Sequence, residues 1–204
     1  MSSTSALTFE INSMKLPAWN AMGILPPIRP PAWGNEFDRS PYVIDLAELV
    51  ERFATSAARN RILAGLLAYR AALHAAGAVR GFQWLDGSFM EDVETLEGRA
   101  PRDMDVVTFF HLPDDMDQSG FAEQYPNLFD KTAIAQTYSM DAYFVVLGEE
   151  MLAGDVRKIT YWYSMWSHRR DGLWKGFVQI DLDSAQDEAA RAVMNEIAGG
   201  IRHA

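Results

Sequence analysis

Apolar residues recur at every third or fourth position after Tyr42, which predicts two helices in the first half of the chain. The first helix carries Leu46, Leu49, Val50 and Phe53 on its apolar face. The second follows Thr55-Ser56, either of which can cap its first turn, and Gly77 can end it. Its apolar stripe comprises Ile62, Leu63, Leu66, Leu67, Tyr69, Ala72 and Leu73. Arg59, Arg61 and Arg70 fall on its other faces, and we predict that they are solvated.

The pattern then becomes typical of strands. Strands are predicted within residues 81–88, 103–110, 138–147 and 175–182. Residues 111–135 indicate a loop with one or two short helices, and residues 159–166 fit either a strand or a helix. Ser184 and Asp187 resemble a capping box that opens a last helix. This order predicts an α+β fold, with a mixed or antiparallel sheet flanked by helices.

Residues 1–41 differ from the rest of the chain. Six prolines, at positions 17, 26, 27, 30, 31 and 41, lie among Trp19, Ile24, Leu25 and Trp33. Proline at this density excludes regular helix and central strand. We predict a Pro/Trp-rich N-terminal arm over residues 1–41, which packs on the body or binds another protein, and one domain over residues 42–204.

Composition narrows the possible functions. The 204 residues include no cysteine, which excludes disulfides, thiolate nucleophiles and zinc sites built on sulfur. The net charge of −10 argues against a general basic face for duplex nucleic acid. No apolar run approaches the ~20 residues of a membrane span, and residues 1–12 lack a signal-peptide pattern. We therefore predict a cytoplasmic protein with no membrane partner.

Three aspartates suggest a metal site. Asp103 and Asp105 are two apart in a predicted strand, so their side chains leave the same face, about 7 Å apart along it. Like charges this close favour a cation between them, and oxygen ligands suit Mg²⁺ or Mn²⁺. Asp141 lies in the next predicted strand and adds a third carboxylate if the two strands are neighbours. Three carboxylates can hold two magnesium ions for a phosphoryl displacement.

Gly87-Ser88 precedes this aspartate pair at the end of an apolar segment. Glycine lets the backbone approach an anion closely, and the serine hydroxyl can donate to a phosphate oxygen. The sequence thus predicts phosphate donors opposite a metal site.

These motifs resemble the DNA polymerase β superfamily of nucleotidyltransferases, and more closely its small stand-alone bacterial members. The resemblance rests on Trp84–Phe89 (WLDGSF), Pro101–Val107 (PRDMDVV) and Trp174–Gly176 (WKG), and it covers roughly residues 42–183. It implies a nucleotidyltransferase-like domain, with Gly87 and Ser88 binding triphosphate and Asp103 and Asp105 binding both metals. It also implies Asp141 as the third ligand and the activator of the attacking hydroxyl. The fourteen-residue spacer, 89–102, is long for the superfamily and leaves room for an added loop over the site.

A basic and aromatic segment follows later in the chain. Arg157, Lys158, Arg169, Arg170 and Lys175 lie among Tyr161, Trp162, Tyr163, Trp166 and Trp174. These residues could hold the triphosphate and stack a base. Alternatively, the aromatic residues form a packed core and residues 167–172 a charged hairpin in solvent. Lys175, Arg169 and His168 are the candidate phosphate contacts.

The leading functional hypothesis is metal-dependent transfer of a nucleoside monophosphate from a nucleoside triphosphate, such as ATP, to a hydroxyl. The acceptor could be a nucleotide or oligonucleotide, tRNA, a partner protein from the same operon, or a small molecule. Bacterial anti-phage defence or toxin–antitoxin biology is the favoured setting. The alternatives are a catalytically weak nucleotide-binding regulatory module and a metal-dependent phosphohydrolase.

Overall fold

The computed structural model describes residues 16–31 and 38–201, which contain five strands and seven α-helices. The strands are β1 (Tyr42–Val43), β2 (Gly81–Asp86), β3 (Met104–Phe110), β4 (Met140–Val146) and β5 (Val178–Asp181). The helices are α1 (Leu46–Phe53), α2 (Ala57–Ala75), α3 (Val93–Glu97), α4 (Gln118–Gln124), α5 (Lys131–Tyr138), α6 (Ala153–Trp166) and α7 (Ala185–Ile201). The predicted α+β class is confirmed.

The strands form one mixed sheet in the order β1-β5-β2-β3-β4. Strand β2 is antiparallel to both of its neighbours, whereas β1 pairs with β5, and β3 with β4, in parallel. The sequence made Asp141 a third carboxylate of the site only if its strand lies next to that of Asp105. The two strands, β3 and β4, are adjacent.

Alternation along the strands divides the apolar side chains between the two faces of the sheet. Val106 and Phe110 point to the larger core, which contains the buried residues of α1 and α2. Val107 and Phe109 point to a smaller, aromatic core that is covered by α6 and includes Trp166. The α6 face is the one that bears the candidate site.

Helix α2 begins and ends where the sequence predicts, since the Ser56 hydroxyl accepts a hydrogen bond from the Arg59 N–H and Gly77 follows with φ +88°. The prediction of solvated arginines is correct for Arg61 and wrong for two others. Arg59 and Arg70 are fully buried. A guanidinium can be buried when its N–H groups all find acceptors, which a single helix pattern does not reveal.

Arg70 joins four elements. Its guanidinium donates to the Asp187 carboxylate at 2.7 Å, to Gln83 at 2.9 Å and to the carbonyl of Asp181 at 3.0 Å. The Asp187 carboxylate therefore pairs with Arg70. At the start of α7, the Ala185 N–H donates instead to the Asp183 carboxylate.

The segment 159–166, which the sequence left open between strand and helix, is helical and forms the second half of α6.

Residues 16–31 contain no helix, and their only ladder contact is an isolated bridge between Ile28 and Arg39. They pack on the body: Ile24 and Leu25 are buried, and the Trp19 indole donates to the carbonyl of Met90 at 2.7 Å. Trp33 lies outside the described residues. No helix in the described ranges is long and apolar enough to cross a membrane.

Candidate functional site

Three aspartates form a lateral row on the α6 face, at one end of the sheet. Asp86 lies opposite Asp105 across the antiparallel β2–β3 pair, and Asp105 lies opposite Asp141 across the parallel β3–β4 pair. Side chains directly opposite each other on neighbouring strands have Cβ atoms about 4.5–5.5 Å apart. Asp103 precedes β3 by one residue rather than lying within it, and its charge still acts on Asp105.

The central carboxylate of the row lacks a counter-ion. Asp105 and Asp103 form no ion pair within 4 Å to any residue of the described ranges. Burial raises the pKa of Asp105 to about 6, and the negative charges of Asp103 and Asp141 add to the rise. Lys175 and Arg170 oppose it from a greater distance. A cation bound here would relieve this repulsion.

Each end of the row is neutralised by a lysine. At one end, the buried ammonium of Lys175 lies 2.8 Å from Asp86 and 3.0 Å from Glu91. Burial lowers the pKa of Lys175, but Asp86 and Glu91 outweigh burial and hold it above its usual value. At the other end, Lys131 lies 3.5 Å from Asp141. The Tyr143 hydroxyl donates to the other oxygen of Asp141 at 2.7 Å.

Gly87 carries the chain from β2 into a 3₁₀ turn, Ser88–Met90, directly against Asp105. Its φ is +82°, a conformation that L side chains rarely adopt. A Cβ at this position would lie 2.9 Å from Oδ2 of Asp105 and 3.2 Å from its backbone nitrogen. Glycine is therefore required both by the backbone angle and by the close approach of the turn to the aspartate.

Gly87→Ala is expected to destabilise the protein by about 1–3 kcal/mol and to displace Asp105, as measured by denaturant unfolding. Gly98→Ala is the control for a positive φ alone, because Gly98 is left-handed helical (φ 64°, ψ 24°) and faces open space. Gly87 combines φ 82° with ψ −170°, a region that is essentially restricted to glycine, and it also faces Asp105, so Gly87→Ala should cost at least about 1 kcal/mol more. Equal losses would show that neither feature of Gly87 adds to the cost.

The row borders a pocket of about 730 Å³, which falls within the range of ligand sites. The pocket brings together every site residue predicted from the sequence: Gly87, Ser88, Asp103, Asp105, Asp141, His168, Arg169 and Lys175. The spacer between Ser88 and Asp103 contributes Glu91, Glu97, Arg99 and Arg102 to the lining. Sequence reasoning missed these four residues, together with Asp86 and Tyr143.

The residues predicted to contact phosphate differ in whether their charges are already paired with acidic residues of the chain. Lys175 is buried below the pocket and committed to two carboxylates. Arg169 lies 3.5 Å from Glu91 and 3.6 Å from Asp171, so a phosphate would have to compete with these acids. His168 and Arg170 are exposed on the rim of the pocket. Arg170 therefore joins His168 and Arg169 as a candidate, whereas Lys175 serves mainly as a counter-ion.

The donor set of the pocket suits a divalent cation. Asp103, Asp105 and Asp141 offer only oxygen, the ligand type that Mg²⁺ prefers. As the side chains stand, no group of three His, Asp or Glu residues within residues 16–31 and 38–201 is arranged to share an ion. Asp141 contacts Lys131 through one oxygen and Tyr143 through the other. Asp103 and Asp105 remain as the pair available to a first ion.

Sequence and structure comparisons give a family but no characterised relative. No curated protein and no solved structure matches the chain. A family model described as a family of unknown function matches residues 17–181, which include all five strands. The chain therefore belongs to the family of unknown function DUF6932.

Proposed function

We propose that this protein is a metal-dependent nucleotidyltransferase, which transfers a nucleoside monophosphate from a nucleoside triphosphate to a hydroxyl. The observation that carries the proposal is the single pocket in which the Gly87-Ser88 turn faces Asp105 and the in-register Asp141. Phosphate donors beside acidic ligands are what this reaction needs, because it depends mainly on positioning and charge stabilisation.

The triphosphate is bound by the turn and the basic rim. The Ser88 hydroxyl donates to a phosphate oxygen, and the glycine before it allows the anion to approach the backbone closely. Arg170 and His168 on the rim, with Arg169 and the two spacer arginines Arg99 and Arg102, supply positive charge for the leaving pyrophosphate.

Asp103, Asp105 and Asp141 would hold Mg²⁺ or Mn²⁺, which when bound supplies charge neutralisation at the transferring phosphoryl group. The chain's own contribution is to place Asp105 beside Asp103 without an ion-pair partner in the described ranges, with Lys175 satisfying Asp86 on one side. Asp141 would join them through the lone pairs that its contacts with Lys131 and Tyr143 leave open.

The acceptor hydroxyl reacts beside Asp141. Its oxygen forms a bond to the α-phosphorus, the bond between the α-phosphorus and the bridging oxygen to the β-phosphorus breaks, and pyrophosphate leaves. The hydroxyl proton passes to the Asp141 carboxylate and then to solvent. Tyr143 orients that carboxylate through its hydroxyl.

The proposal is tested by incubating the protein with each α-³²P-labelled nucleoside triphosphate and Mg²⁺ or Mn²⁺, with and without total RNA or cell lysate. We expect pyrophosphate and label joined to an acceptor, both abolished by a chelator. Release of labelled nucleoside monophosphate and pyrophosphate, with no label joined to an acceptor, would identify a phosphohydrolase. Binding of the nucleotide with no turnover would identify a regulatory module. Either result would overturn the proposal.

A further inference from the structure

The outer face of α6 is unusual for this protein because it exposes both apolar and basic side chains. Tyr161 is 56% and Met165 45% exposed, and Met151, Leu152, Val156 and Trp174 nearby are also exposed. These six are the majority of the ten large hydrophobic residues exposed in residues 16–31 and 38–201. The smaller core beneath α6 is already filled by Trp166 and its neighbours, so these side chains are not needed for packing.

This face leads into the candidate active site. A second hollow is lined by Gly154, Arg157, Lys158, Tyr161 and Trp162, and Trp162 also lines the main pocket. These residues recur at three- and four-residue spacing, so they form one stripe along the helix. The stripe continues to the exposed Met165, which also lines the main pocket, and it is about 17 Å long.

Aromatic rings connect the stripe to the carboxylate row. The rings of Tyr161 and Trp162 are 5.3 Å apart, and those of Trp162 and Tyr143 are 4.5 Å apart. Tyr143 in turn donates its hydroxyl to Asp141 at 2.7 Å. Flat rings thus run from the exposed face of α6 to the aspartate proposed to receive the acceptor's proton.

The charge of the stripe is opposite to that of the whole chain. Arg157 and Lys158 lie on it, and Arg169 and Arg170 follow just after α6. The acids of the same segment are Asp155, 3.5 Å from Lys158, and Asp171, 3.6 Å from Arg169. The protein as a whole carries a net charge of −10. A local basic surface with exposed rings matches a ligand that combines phosphates with flat bases, which is a single strand of nucleic acid. Duplex nucleic acid would meet the surrounding negative charge over a larger area.

We propose that the outer face of α6 binds a single strand of nucleic acid, whose 3′-terminal hydroxyl enters the pocket beside Asp141. Arg157 and Lys158 contact its phosphates, and Tyr161 stacks on a base. This inference rests on the proposed function, because it names the acceptor of that reaction. The bond changes are those already given, with the strand's 3′-oxygen as the attacking atom.

Binding is measured without nucleoside triphosphate, by fluorescence anisotropy of a 5′-fluorescein 12-residue oligonucleotide of mixed sequence. Separate arms use RNA, DNA of the same sequence and a duplex, each from 50 to 200 mM salt. The test variant is Arg157→Gln with Lys158→Gln. The matched control is Arg61→Gln with Arg80→Gln, which removes the same charge from exposed arginines away from α6.

We expect the RNA or DNA single strand to bind, and the test variant to bind about tenfold more weakly. Loss of two phosphate contacts should also reduce the slope of log K against log salt by about 1.4. Tyr161→Ala should weaken binding by about tenfold through lost stacking. The control variant should bind within about twofold of the unmodified protein.

Two results would overturn the inference: no binding of either single strand, as expected if α6 docks a protein instead, or equal weakening by the test and control variants. Nucleotide transfer to another acceptor without strand binding would also overturn it and would leave the nucleotidyltransferase intact. A strand that binds through α6 but is never extended would support the binding surface and overturn the strand's role as acceptor, whereas the nucleotidyltransferase itself fails only if no acceptor is labelled. The two proposals therefore fail separately.

Discussion

Asp105→Asn is expected to lower the rate of nucleotidyl transfer by about 100- to 1,000-fold and to leave the protein folded. The substitution keeps the size of the side chain and removes the central negative charge of the row. Asp105 is the carboxylate that faces both Gly87 and Asp141 and lacks a nearby counter-ion. Its loss leaves Asp103 without its partner beside the Gly87-Ser88 turn. Steady-state transfer with the labelled nucleotide measures the effect.

Stability distinguishes a catalytic role of Asp105 from a structural one. Its pKa is raised to about 6 from an ordinary value of 3.8, so the folded state holds the proton more tightly than the unfolded state does. Stability is therefore lost as the pH rises from about 4 to about 6, and it stays low above that range. Asp105→Asn removes this loss. We expect the variant to be more stable than the unmodified protein at pH 7.5, by on the order of 2 kcal/mol.

Asp114→Asn is the matched control for Asp105→Asn, because the Asp114 side chain is 98% exposed. It should change neither transfer nor unfolding. Transfer by Asp105→Asn at more than about a tenth of the normal rate would remove Asp105 from the reaction. A loss of stability at pH 7.5 would show that Asp105 is a structural residue.

The sequence predicted those parts of the site that depend on residues close together along the chain. Period-two alternation put Asp103 and Asp105 on one face, and the apolar segment before Gly87 indicated a strand leading into a turn. Adjacency of β3 and β4 could only be stated as a condition, since pairing between strands depends on the whole sheet. The structure supplies that pairing and places Asp141 beside Asp105.

The parts that the sequence did not predict depend on contacts between distant residues. Asp86 reads as a turn former next to glycine, and its charge partner Lys175 lies 89 positions later along the chain. Arg59 looks solvated on a helical pattern, yet it donates to the carbonyls of Phe89 and Glu91 just after Gly87-Ser88, both at 2.6 Å. Local periodicity carries no information about such partners.

The contact that holds Asp141 is equally invisible in the sequence. Lys131 begins α5, and nothing in its local pattern indicates that it reaches a strand residue ten positions later. Its ammonium also lies 3.8 Å from the centre of the Tyr143 ring. Sequence reasoning therefore placed Asp141 among the metal ligands, whereas the structure shows it paired with a lysine of the chain.

Lys175→Met is expected to have the largest effect on stability, a loss of about 3–5 kcal/mol in the free energy of unfolding at pH 7.5. Methionine fills a similar volume but leaves Asp86 and Glu91 without the ammonium between them. Both carboxylates are buried, and only Glu91 has a second cation, Arg169 at 3.5 Å. Lys158→Met is the matched control, since Lys158 is exposed, and it should cost less than about 0.5 kcal/mol.

The pKa of Asp86 determines how the stability loss of Lys175→Met changes with pH. Burial raises the pKa of Asp86 to about 7 even with Lys175 opposing the rise, so removal of the lysine should raise it further. When an acid has a raised pKa in the folded state, the protein loses stability as the pH rises towards that pKa. The deficit of Lys175→Met should therefore be smaller near pH 5, where Asp86 is protonated, and should grow by about 1 kcal/mol towards pH 8. Adding Asp86→Asn should remove this pH-dependent part of the loss, because no unpaired charge then remains at that position. A deficit that stays constant from pH 5 to pH 8, or one that Asp86→Asn does not reduce, would show that Lys175 acts by packing rather than as the counter-ion of the carboxylate row.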